Sequence, residues 1–189
     1  MPMSRTAPQH RPVPVPRIMS RSRSSYCRRT AILLSGLALL GGVFIGTGTA
    51  SGAAPTAGLD PVLAHAYTRA AAAAHDQGVG LHITSGKRSR AEQQRLWRDA
   101  LATYGSPAAA RRWVLPPAES THVSGHAIDV GPRAGASWLQ RNGFRWGLCR
   151  TFANEWWHFE VVTLPGLPCP AMWPDAATRA DAIPGLGLR

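Results

Sequence analysis

Punctuation by glycine and proline constrains this chain most, because from residue 58 onward it leaves only short segments whose ends are already marked. Asp60-Pro61 sets an N-cap before a proline at the first helical position, and "VLAHAYTRAAAAAHDQ" runs from there to a stop at Gly78. "GLHITSG" alternates Leu81 and Ile83 with polar partners, which predicts a strand. Ser89-Arg90-Ala91-Glu92 is a capping box, so a helix is expected through "QQRLWRDALATY" to Gly105, with Leu96, Trp97, Ala100, Leu101 and Tyr104 on one face. A shorter helical piece is expected around Pro107 to Trp113.

After "LPP" the chain changes character. "HAIDV" reads as a short strand, "SWLQRNG" as a short helix capped by Ser137, and "EWWHFEVV" as a strand rich in aromatic and β-branched residues. The tail from Pro165 is expected to be irregular and to wrap the surface. Helices early, strands late, no repeat and no regular βα alternation together predict an α+β fold.

Length allows one domain of ordinary size plus a targeting segment. The formal charge is +11, but seven arginines and no acidic residue lie in the first fifty positions. Beyond them 14 basic residues face 10 acidic ones, so no nucleic-acid partner is expected. The leader places arginines before the apolar run "AILLSGLALLGGVFI", Ala31 to Ile45, and follows it with "GTGTASGAAP". This is the order of a secretory signal, with Ala50 or Ala53 as the last residue removed. The run is 15 residues long and holds three glycines, against the roughly 20 that span a bilayer. Export with cleavage and an uncleaved N-terminal anchor both remain open, and Arg28-Arg29 raises twin-arginine export. The expected organisation is therefore a signal peptide or anchor with linker over 1–54 and one domain over 55–189, exported and facing outside the cytoplasm. Contact with the membrane is expected only through an uncleaved leader.

Cysteine usage fits that compartment. Cys27 precedes the apolar run, which leaves Cys149 and Cys169 in the mature chain. Exported proteins commonly join such a pair, and closing a loop of this size contributes on the order of 3 kcal/mol; two free buried thiols are the alternative.

Two histidine segments carry the chemistry. In "ESTHVSGHAIDVG", Gly125 argues against a helix, so His122 is expected in a loop or turn with Asp129 on the strand behind it. Such a pair more often lies in solvent or bonds within a core than binds a metal. In "ANEWWHFE", strand alternation puts His158 on one face with Trp156 and Glu160, while Glu155 points away with Trp157. If His158 is a ligand, Glu155 must sit at the strand entrance, where the backbone can turn its carboxylate back. A catalytic zinc takes three protein ligands and an open position, with a nearby carboxylate to accept a proton. His122, Asp129 and His158 can supply the three, and Glu155 the base. The plainer reading is a core strand with tryptophans filling volume and charges at its edge.

Taken together, these segments resemble the zinc D-alanyl-D-alanine carboxypeptidases of VanY type, which are related to D-Ala-D-Ala dipeptidases and some phage endolysin peptidases. The motif S-x-H-x-x-G-x-A-x-D stands as Ser120, His122, Gly125, Ala127 and Asp129, and E-x-W-H as Glu155, Trp157 and His158. A third, S-G-x-R-S followed by glutamine, stands as Ser85, Gly86, Arg88, Ser89 and Gln93. Lys87 departs from the family, which usually has an aromatic residue there. The resemblance covers about 59–162.

The resemblance implies helices packed on a small, mainly antiparallel sheet that carries the metal site, as in Hedgehog and DD-peptidase folds. It also implies a monomer with one Zn2+ per chain that acts on peptidoglycan stem peptides, most simply by removing a terminal D-alanine. It assigns the oxyanion to Arg88, which sequence alone reads as a solvated helix-start residue. Ser120 and Gln93 are candidates to hydrogen-bond the substrate, or else an ordinary cap and a surface polar residue. His126 reads as structural, and His65, His75 and His82 lack partner motifs. Within the same chemistry, an L,D-carboxypeptidase, a dipeptidase and an L-Ala-D-Glu endopeptidase remain alternatives. A non-catalytic peptidoglycan-binding module is the alternative of a different class.

Overall fold

A computed structural model describes residues 55–185. The expected signal or anchor over 1–54, and Cys27 with it, lies outside the described residues. Among the described residues no helix is long and apolar enough to cross a membrane.

Helix α1 (Pro61–Asp76) starts where Asp60 accepts the Val62 and Leu63 amides, and buries Leu63, Ala66, Tyr67, Ala70 and Ala74. That spacing is one face of a helix, so the alanines are contact surface rather than filler. Strand β1 (His82–Ser85) follows, then α2 (Arg90–Tyr104), whose Ser89 cap accepts the Glu92 amide and whose end at Gly105 is left-handed. The expected apolar face of α2 is only part-buried, and the residues it buries are Gln93 and Ala100. Two short helices come next, α3 (Pro107–Arg111) and α4 (Thr121–Ser124), then strand β2 (Ala127–Gly131). Helix α5 (Arg133–Asn142), a 3-10 turn (Gly143–Trp146), β3 (Leu148–Arg150), β4 (His158–Val161) and α6 (Ala176–Ala182) complete the order.

The four strands form one antiparallel sheet in the order β1-β2-β4-β3, and the fold is α+β. Alternation then sorts the residues of β2 and β4. Ile128, Val130 and Phe159 join Leu148 in the main core, against α1 and Ala136, Trp138 and Leu139 of α5. Asp129, His158 and Glu160 must therefore face the other way. That second face is closed by a smaller cluster of Leu115, Phe152 and Ala176, with Trp173 and Ala180 against it. The polar residues of the sheet are thus buried without entering the main core.

Several expectations need correction. His122 lies in a one-turn helix, α4, rather than a loop, because Gly125 ends a helix here instead of preventing one (φ +85°). Helix α5 begins four residues before the expected cap Ser137, after Pro132. Gly135 hid this start: a Cβ there would lie 2.3 Å from the Gly80 carbonyl oxygen, so close packing requires the poor helix former. "EWWHFEVV" is a strand only from His158, and β3 carried too few residues to show a pattern. Helices and strands interleave rather than segregate. The tail is not irregular throughout: Trp173 pairs with Phe152, and Asp175 caps α6 through the Thr178 amide. Cys149 and Cys169 are joined, with Cα atoms 5.7 Å apart.

Candidate metal centre

Register brings three motifs into one row across the sheet. Ser85 of β1 pairs with Asp129 of β2, and Asp129 pairs with His158 of β4. His122 reaches the same point from α4, just before β2, and its peptide oxygen accepts the Arg88 amide at 3.0 Å. Gly125 makes this return possible, since a Cβ there would meet the Gly58 oxygen at 2.9 Å.

His122, Asp129 and His158 are all buried, at 4, 7 and 4% exposure. His122 Nε2 lies 3.3 Å from His158 Nδ1 and 3.3 Å from Asp129 Oδ1, and His158 Nδ1 lies 3.4 Å from that same oxygen. A tetrahedral ion bound at about 2.0–2.1 Å separates its donors by roughly 3.3 Å, so the triangle has the edge such an ion requires. The outward ring atoms are also committed. His122 Nδ1 donates to the Gly86 oxygen at 2.8 Å, and His158 Nε2 donates to Glu160 Oε1 at 2.7 Å, which leaves one ring nitrogen of each facing inward. Asp129 Oδ1 is buried with no hydrogen-bond partner among the described residues. An orphaned carboxylate oxygen between two inward imidazole nitrogens is a cation site in its donor chemistry and its spacing.

Charge balance gives the same answer. Burial lowers the His122 pKa, favouring the neutral ring that can act as a ligand. Burial opposes charge on Asp129 too, but His122, His158 and Arg88 outweigh it and hold the carboxyl well below its ordinary range. His158 is pushed up to about 10: burial disfavours its charge, yet the carboxylates of Asp129 and Glu160 beside it prevail. The cluster therefore demands positive charge at its centre, which a proton or a metal ion can meet.

Glu155 stands just before β4, at the strand entrance, with 5% exposure and its Oε2 3.6 Å from His158 Nδ1. Burial pushes its carboxyl up to about 7. Arg88 donates from Nη2 to Asp129 Oδ2 at 2.6 Å, from Nε to Ser85 Oγ at 2.9 Å and from Nη1 to Gln93 Oε1 at 3.2 Å. It is a fixed fork at the metal triangle, not a solvated residue. Gln93 is not a surface residue: it is 1% exposed and holds Arg88 with its oxygen and Leu115 with its amide. Ser120 is buried at the N-cap of α4 without a side-chain cap bond. His126 bonds Ser124 and lies 3.7 Å from Asp60, while His65, His75 and His82 are exposed and away from the triangle.

Two residues were given no role by the sequence reading. Glu160 was legible in principle, two residues from His158 and on the same strand face. Arg179, whose Nη1 donates to Glu160 Oε2 at 2.8 Å, arrives from α6 and left no local signal.

A sheet that turns one face to a core and buries a His-Asp-His triangle beside a carboxylate on the other defines the class, an α+β protein with a metal centre built on its sheet. Residues 56–163 match the family model described as VanY, D-alanyl-D-alanine carboxypeptidase, and the chain belongs to that family. It is similar to a D-alanyl-D-alanine carboxypeptidase of Enterococcus faecalis (strain ATCC 700802 / V583), at 29% identity over 48% of this chain and 43% of the relative. The chain thus spans less than half the length of that relative. Among solved structures it resembles VanYB in complex with D-alanine-D-alanine: TM-score 0.51, 26% identity, 56% of this chain and 72% of the other. It also resembles a mutant of the vancomycin-resistance D,D-pentapeptidase VanY in complex with Zn(II), from a VanB-type cassette. There the TM-score is 0.50 and identity 27%, over 55% of this chain and 73% of the other.

Proposed function

We propose that this chain is a zinc carboxypeptidase that removes the terminal D-alanine from peptidoglycan stem peptides outside the cytoplasm. The observation that carries the reading is the triangle of inward-facing His122, Asp129 and His158 atoms with edges of 3.3–3.4 Å. These three residues would hold the metal, which supplies Lewis acidity when bound, polarising a carbonyl and acidifying water. Glu155, buried and held at the strand entrance, accepts the proton of the attacking water and returns it to the leaving amine. A guanidinium has five N–H donors, and Arg88 spends three on Ser85, Gln93 and Asp129. Its remaining two are available to the oxyanion that develops on the carbonyl. Ser120, at the start of α4 with no cap bond of its own, would bond the substrate through its hydroxyl.

An extracytoplasmic location is supported by the Cys149–Cys169 disulfide, since such bonds persist in oxidising compartments.

Mass spectrometry of a muropeptide ending in D-Ala-D-Ala, incubated with the purified protein with and without a chelator, tests the proposal. Loss of one alanine that stops with chelator and returns with zinc supports it. An uncut pentapeptide with zinc bound would overturn it.

A further inference from the structure

The family match ends at residue 163, yet the chain does not leave the site there. Cys169 bonds Cys149 of β3, Trp173 pairs with Phe152, and Asp175 opens α6. Arg179 on α6 is 4% exposed, and its Nη1 meets Glu160 Oε2 at 2.8 Å. Its guanidinium lies 4.5 Å from the Phe152 ring centroid, and Phe152 in turn lies 4.9 Å from the His158 ring. The other oxygen of Glu160 accepts from His158 Nε2 at 2.7 Å and from Thr121 Oγ1 at 3.0 Å.

We infer that Arg179 is a positioning residue of the metal centre, acting through Glu160 on His158, so that the disulfide-held C-terminal segment is part of the site. The inference rests on the reading that His122, Asp129 and His158 hold a metal. A carboxylate with two oxygens on one rigid plane transmits orientation: fixing Oε2 fixes the direction from which Oε1 meets the imidazole. That direction sets which His158 nitrogen faces inward and how the ring is turned. Arg179 suits the task because a forked guanidinium holds a carboxylate while its face lies on an aromatic ring. Thr121 alone cannot replace it, since it contacts only Oε1. Without Arg179 the buried Glu160 also loses the cation paired with it.

A purely structural role predicts something else, that any loosening of α6 has the same effect. Arg112 separates the two, because its Nε holds the α6 cap Asp175 at 2.8 Å and does not touch Glu160.

The test uses the whole chain stripped of metal and titrated with zinc chloride against a chromophoric chelator. Each variant is checked for folding by circular dichroism in the metal-free state. Arg179→Gln is expected to weaken zinc binding by about 10–100-fold, the usual effect of losing a partner behind a ligand. Arg112→Gln is expected to bind zinc as the parent does. Combining Arg179→Gln with Glu160→Gln is expected to be no worse than Glu160→Gln alone, because both lie on one chain of contacts. Parent-like binding by folded Arg179→Gln, or an equal loss in Arg112→Gln, overturns the inference. Should Arg179→Gln not fold, Arg179→Lys carries the test: several-fold weaker binding is expected, and parent affinity overturns it. If the parent chain itself takes up no zinc, the metal reading fails instead.

Discussion

Asp129 and His158 face each other across the β2–β4 register, and Oδ1 of the one lies 3.4 Å from Nδ1 of the other. Neighbouring strands hold them there, so the register itself sets the two donors side by side. Asp129 also anchors Arg88 through its second oxygen. Asp129→Asn is therefore expected to remove one ligand and release the guanidinium together. Zinc content by elemental analysis should fall from one per chain to near zero, and activity should fall with it. A variant that retains a full zinc complement would show that Asp129 is not a ligand.

Gly125 lies between His122 and Asp129 with φ +85°, and a Cβ there would press on the Gly58 oxygen at 2.9 Å and the Asp60 amide nitrogen at 3.3 Å. Both a left-handed backbone and a close approach oppose a side chain. Gly125→Ala is expected to cost more than about 1 kcal/mol. It should also weaken zinc binding, because α4 must shift to relieve the contact. Thermal melting with and without zinc checks both effects.

The Cys149–Cys169 bond closes a loop of sequence separation 20 that holds β4 and the start of the tail. Loop-closure entropy puts its contribution at about 3 kcal/mol. Replacing both cysteines by alanine should lower the melting temperature by an amount in keeping with that figure. Unchanged melting on reduction would mean that packing of Trp173 and α6 already holds the segment.

What the sequence made legible was what local chemistry decides. Asp60 and Ser89 announced helix starts, Gly78 and Gly105 announced stops, and the short spacing of His122 to Asp129 and Glu155 to His158 exposed the cluster. Glu155 at the strand entrance followed from strand alternation once His158 was taken as a ligand of the same site, because the two residues cannot share a face of one strand. What stayed hidden depends on contacts between distant residues. Helix α5 starts without a polar cap and contains a glycine that packing demands. Gln93 looks like a surface residue until Leu115 and Arg88 close over it. Arg179 meets Glu160 only after the tail has folded back across the sheet.

Acid stability is expected to depend on Asp175, which caps α6 and pairs with Arg112. Burial tends to raise its pKa, but the Thr178 amide and hydroxyl and the Arg112 guanidinium outweigh this and lower it from the ordinary 3.8. A lowered folded-state pKa means stability that is present above the unfolded value and is lost as pH falls through the folded one. Asp175→Asn should therefore melt lower than the parent at pH 7, by up to about 1 kcal/mol from the lost Arg112 pair, since Asn caps a helix about as well as Asp. The gap should close below the ordinary value. A gap that persists unchanged to the acid end would mean that the carboxylate charge contributes nothing.

Glu155 allows the chemistry to be separated from metal binding. Its carboxylate lies 3.6 Å from His158 Nδ1, close enough to serve the centre, but the triangle of donors is complete without it. Glu155→Gln keeps the size and removes the proposed base. Zinc binding should persist, since none of the three ligands is altered, while kcat on a D-Ala-D-Ala substrate should fall by about 10²–10⁴, the usual contribution of a positioned proton acceptor. KM should change far less, because the substrate's ground-state contacts are left in place. Glu155→Asp shortens the side chain by one methylene and should recover only part of the rate. A Gln variant with near-parent kcat would move the proton-accepting role elsewhere; one that lost zinc would make Glu155 a fourth ligand, and the centre would then be closed rather than catalytic.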